Sequence, residues 1–100
     1  MASSVLKYDS HTISRNDYAE ETTLVGKLNM LGIGVWLLPL WGDGSLTDMP
    51  SGLTTDKTIV FIKSSADNYY NKIIIFSSAV IKVGYFASGT TLTWRTVTTT

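Results

Sequence analysis

His11 sits between Ser10 and Thr12 with Asp9 two residues before it, and it is the one imidazole in a chain that has no cysteine. An acid, a hydroxyl and an imidazole side by side in sequence do not make a catalytic triad, because the three groups need a rigid framework and an oxyanion hole. No catalytic residue is therefore expected. Gly32-Ile33-Gly34 and Gly42-Asp43-Gly44 lack the following helix and lysine that phosphate-binding loops use. Asp43, Asp48 and Asp56, with nearby glycine and serine oxygens, are the carboxylates a hard cation would favour, but their spacing does not match a helix-flanked calcium loop. Solvated turn carboxylates are the favoured reading. No metal and no cofactor are expected.

Binding chemistry is better represented. In Ala66-Asp67-Asn68-Tyr69-Tyr70-Asn71, two adjacent phenol rings are flanked by amides at a connection between apolar runs. Flat rings can stack on a sugar, and amides can bond its hydroxyls. Asn68, Tyr69, Tyr70 and Asn71 are thus candidate receptor or glycan contacts. Strand alternation leads one tyrosine to be expected inward. Trp41 with Asp43, at the start of a long loop, is a second candidate. For both places the competing reading is an aromatic that covers the core or a subunit contact. Trp36, Trp94, Phe61, Phe76 and Phe86 are assigned to the core.

Charge narrows the partners. Eight basic residues balance eight acidic ones, and the basic ones are scattered from Lys7 to Arg95. Nucleic-acid binding, which draws on a concentrated basic field, is not expected. The opening Met-Ala-Ser-Ser-Val-Leu-Lys-Tyr-Asp-Ser lacks the apolar centre of a signal peptide. The longest dense apolar run, Ile33 to Trp41, is too short to span a bilayer, so membrane insertion is not expected.

The elements that must position these residues are mostly strands. Only 16% of the 100 residues are charged and about a quarter are Ser or Thr, which is poor material for helices. Apolar, β-branched runs at 33–40, 57–64, 71–77 and 79–87 are separated by turn-forming segments. A closing strand around Trp94 follows, with Leu92 and Trp94 on its buried side and Thr91, Thr93, Arg95 and Val97 on the other. The short intervals predict an antiparallel meander or small sandwich, all-β in class. Pro39 places the first strand at an edge or at a bend. The run Ile73-Ile74-Ile75-Phe76 is apolar on both faces, which a chain this short satisfies most easily by packing against copies of itself.

Residues 1–15 read as an extended arm. Residues 16–31 carry the one helix signal, with Asn16 or Asp17 as cap, Glu20 and Glu21 in the first turns and Gly32 as stop. Leu24, Leu28 and Leu31 share a face of that helix. A short helix packed on the β domain is favoured over a zipper, because Thr22, Thr23 and Gly26 weaken it. The expected division is an N-terminal arm and helix over 1–32 and a β domain over 33–100.

Several motifs occur in a suggestive order: Gly34-Val-Trp-Leu-Leu-Pro39, Met49-Pro-Ser-Gly52, Thr58 to Ser64, Lys72 to Ser77, Ile81 to Phe86 and Thr93-Trp-Arg-Thr-Val97. In that order and spacing, 34–97 resembles the knob domain of phage tail fibres and R-type pyocin fibres. Thr90 to Leu92 stand where that family often has a second Trp, and Gly84-Tyr85 where it often has an Arg. The resemblance implies a virion protein that forms a homotrimer and attaches to a glycan or protein receptor on the host surface. It also implies that residues 1–32 dock on other virion proteins, with Leu24, Leu28 and Leu31 as candidate docking or trimer contacts. A small capsid or tail decoration or connector protein without receptor binding is the alternative.

Overall fold

Each apolar run in the second half of the chain becomes a strand, because β-branched side chains crowd a helix and sit comfortably on a pleat. The computed structural model describes residues 12–13, 17, 20–39, 46–88 and 91–97. Within them lie one short α-helix, α1 (Leu24–Met30), and five strands: β1 (Gly34–Pro39), β2 (Thr58–Lys63), β3 (Lys72–Phe76), β4 (Ile81–Ser88) and β5 (Thr91–Val97). The strands form one antiparallel sheet in sequence order, β1-β2-β3-β4-β5. The chain is thus mostly β, and the expected meander is what forms. Pro39 does lie on an edge strand, where its missing N–H costs no ladder bond. Gly52, in the Met-Pro-Ser-Gly turn, has φ +87°, a backbone region that side chains with a Cβ rarely enter.

The register sorts side chains onto two faces. Trp36 opposes Phe61, which opposes Ile73, then Gly84 and Trp94; Leu38, Ile59 and Ile75 form the adjacent row. This is the inner face. Ile59, Phe61, Ile73 and Ile75 have no solvent exposure, and Leu24, Leu28, Leu31, Ile13 and Leu46 complete the cluster around them. On the other face, Leu37, Val60, Ile74 and Val83 make a row that ends on Arg95, beside a row containing Phe76, Ile81 and Val97. None of these residues belongs to the buried core cluster.

One expectation changes here and another is met. Phe76, assigned to the core from its type, is 45% exposed, because Ile73 and Ile75 take the inward positions and parity turns Phe76 outward. Leu24 and Leu28 have zero exposure and Leu31 has 4%, so the short helix packs on the β domain as its sequence favoured, with these candidate docking or trimer residues inside the chain's own core. They share one core cluster with Ile59, Phe61, Ile73 and Ile75 of the sheet.

The helix also starts later than its sequence signal. Its cap is Thr23, whose Oγ1 accepts from the Gly26 N–H at 2.9 Å. The Leu24 and Val25 N–H groups are taken by the two carboxylate oxygens of Asp48, at 2.6 and 3.2 Å. The acidic charge that favours a helix start thus comes from a distant loop, and Glu20 and Glu21 precede the helix. At the other end, Lys63 of β2 donates through Nζ to the carbonyls of Leu28 (3.2 Å) and Asn29 (3.5 Å), a cation at the helix C-terminus. Upstream, the Ile13 N–H donates to the Leu37 carbonyl at 2.8 Å and Thr12 bridges Leu37 in parallel, so the arm is held there by the free edge of β1.

Candidate binding surface

The link between β2 and β3 is tied down by one buried amide. Asn71, with no solvent exposure, accepts through Oδ1 from the backbone N–H groups of Ser64 (2.9 Å) and Ser65 (3.2 Å). Its Nδ2 donates to Asn68 Oδ1 at 3.3 Å, and its backbone N–H closes a turn on the Asn68 carbonyl at 2.9 Å. Between these anchors, Asn68–Tyr70 form a single 3-10 turn. Asp67 caps it, accepting from the Tyr69 N–H at 3.1 Å, while the Asp67 N–H donates to Ser65 Oγ at 2.9 Å. Ser64 Oγ and Lys72 Nζ both donate to the Tyr70 carbonyl, at 2.8 and 3.4 Å.

A fixed turn therefore presents two aromatic rings. Tyr69 is 52% and Tyr70 60% exposed, and the rings meet edge to face with centroids 5.4 Å apart at 87°. The expectation that one ring turns inward does not hold, because strand alternation does not apply in a 3-10 turn, where successive side chains fan around an axis. Asn71 is also reassigned. Its amide holds the turn together, so it supports the surface without contributing a sugar contact. Asn68 is half-buried and bonded to Asn71. Trp41 and Asp43 lie outside the described residues.

The turn packs beside β4, and on the outer face of that strand the Arg95 guanidinium lies 5.3 Å from the centroid of the Tyr85 ring. Lys72 is the cross-strand partner of Tyr85 on its other side. The tyrosine turn thus continues into a short aromatic and cationic strip, which offers stacking surfaces and N–H donors together.

The carboxylates weighed for a cation have internal work. Asp48 caps α1. Asp56 accepts from the Ser78 backbone N–H at 3.2 Å and from the hydroxyls of Ser78 and Thr54, pinning the 54–56 loop to the β3–β4 connection. The Ser78 side-chain bond, then the Thr54 bond, lower its pKa from 3.8 to about 2. Among the described residues, no group of three or more His, Cys, Asp or Glu is placed to hold a metal ion, and no helix is long and apolar enough to cross a membrane.

Sequence reasoning missed the roles of Asp48 and Asp56, since both depend on partners more than twenty residues away. No family model, no curated protein and no solved structure matches the chain.

Proposed function

We propose that the chain is a non-enzymatic phage virion protein, a fibre or tip knob that attaches the particle to a glycan or protein on the host surface. The observation that carries this reading is the Tyr69–Tyr70 pair, two large rings held in solvent by a turn whose polar groups are bonded internally. Exposed aromatics on a fixed backbone lose little entropy on binding, and a ring face suits the C–H face of a sugar. Assembly as a homotrimer presents the turn three times, so weak contacts add up to avidity. The motif order of 34–97 supports the same reading.

A decoration or connector role without receptor binding is the second reading. The outward row of Leu37, Val60, Ile74 and Val83 favours it, since an apolar face that seats neighbouring chains serves assembly and needs no receptor.

Binding of labelled protein to a panel of whole bacterial cells separates the two. A knob binds at least one strain, and Tyr69→Ala with Tyr70→Ala lowers that binding at least tenfold without changing the fold. Absence of binding across the panel, with the oligomer intact, moves the chain to the connector reading.

A further inference from the structure

One face of the sheet is closed by α1 and the loops around it, while the opposite face is apolar, contributes nothing to the core cluster among the described residues, and has Val60, Ile74 and Val83 half-buried along its central row. At its centre, Val60 opposes Leu37 on one side and Ile74 on the other, and Ile74 opposes Val83. Leu37 is 42% exposed in the single chain. We infer that this face is covered by the same face of neighbouring copies of this chain.

Area is the first ground. Five strands about 4.8 Å apart, each of about six residues at roughly 3.4 Å rise, span a face on the order of 24 Å by 20 Å. Joining two such faces removes on the order of 1,000 Å² from solvent, about the threshold for a specific interface. A contiguous face of about 480 Å² is as large as the largest apolar patch a monomer ordinarily leaves in water, and patches of that size are often functional.

Charge is the second ground. The central row is uncharged until it reaches Arg95 on the edge strand, and Lys72 sits at the end of β3. Both cations have local partners, the Tyr85 ring for Arg95 and the Tyr70 carbonyl for Lys72. An apolar centre with its polar groups at the margin is the anatomy of a protein interface. A partner of opposite charge would find nothing to pair with at the centre, whereas an identical apolar face is complementary to it. The chain's net charge of zero adds no repulsion between copies.

This inference stands on the sheet face and not on the attachment reading, and its readout is mass, not cell binding. Light scattering on the intact chain at micromolar concentration should give a dimer or a trimer. Ile74→Glu places a charge at the middle of the face and should reduce the mass to that of one chain, while the fluorescence of Trp36 and Trp94 on the opposite face reports that the fold is kept. If Ile74→Glu does not fold, Leu37→Glu, at a position already open to water, tests the same face by the same mass measurement. A monomeric intact chain, or a folded variant that keeps the parent's mass, overturns the inference.

Discussion

The carboxylate of Asp48 lies 2.6 Å from the Leu24 backbone nitrogen, twenty-four residues earlier in the chain, and caps the only α-helix among the described residues from a loop beyond β1. With its second oxygen on the Val25 N–H, it satisfies two of the donors a helix start leaves open. A seven-residue helix is too short to stand alone in water, so this contact and the burial of Leu24 and Leu28 hold it in place.

Replacing Asp48 with Ala should therefore lower the unfolding free energy by about 1–2 kcal/mol. Asp48→Asn, which keeps one acceptor and loses the charge, should cost less. Urea denaturation followed by far-ultraviolet circular dichroism measures both. Equal stability of the Ala variant and the parent would show that the cap contributes nothing.

Gly84 lies beneath the indole of Trp94, where an added Cβ would come within 2.8 Å of the ring. Gly84→Ala should force β5 or the Trp94 ring to shift, at a cost of about 1–3 kcal/mol. Trp94 emission should move to longer wavelength as the ring leaves the sheet. An unchanged denaturation midpoint would mean that the edge strand gives way freely.

Asp56 carries a pH dependence with a definite sign. Its folded pKa of about 2 lies below the ordinary 3.8, so its bonds to Ser78 and Thr54 contribute in full above pH 3.8 and are lost as pH falls through about 2. Carboxyl carbon shifts in a nuclear magnetic resonance titration should give a midpoint near the lower value. A midpoint at the ordinary value would dissolve the clasp between the 54–56 loop and the β3–β4 connection.

Asn71→Ala removes the acceptor shared by the Ser64 and Ser65 N–H groups and should destabilise the protein by about 1–3 kcal/mol. The turn should loosen before the sheet does. Hydrogen exchange at Tyr69 and at Asn71, whose N–H groups are bonded within the turn, should accelerate more than exchange at Phe61. Uniform acceleration across the chain would show that Asn71 serves global stability alone.

The strands were legible because their signal is local: β-branched runs bounded by turn residues place β1 to β5 within a residue or two of where they lie. Pro39 marked an edge, and Leu92 and Trp94 marked the buried side of the last strand, for the same reason. Tyr69 and Tyr70 stood out by type and adjacency, although their shared exposure follows from a 3-10 turn that alternation could not foresee. The apolar doubling of Ile73 to Phe76 was visible too, but not which of its two faces α1 would close.

What the chain's linear order could not carry is every relationship that folding creates between distant residues. Asn16 and Asp17 looked like helix caps because capping is usually local, and the role passed to Thr23 and Asp48 only once the loop after β1 came back against α1. Leu24, Leu28 and Leu31 made the same stripe whether they faced a partner or their own sheet, and packing chose the sheet. Phe76 is as apolar as Phe61, yet parity within β3 puts it in solvent. Composition and periodicity determine that strands form and roughly where; burial depends on which surfaces meet, and that is a property of the folded chain.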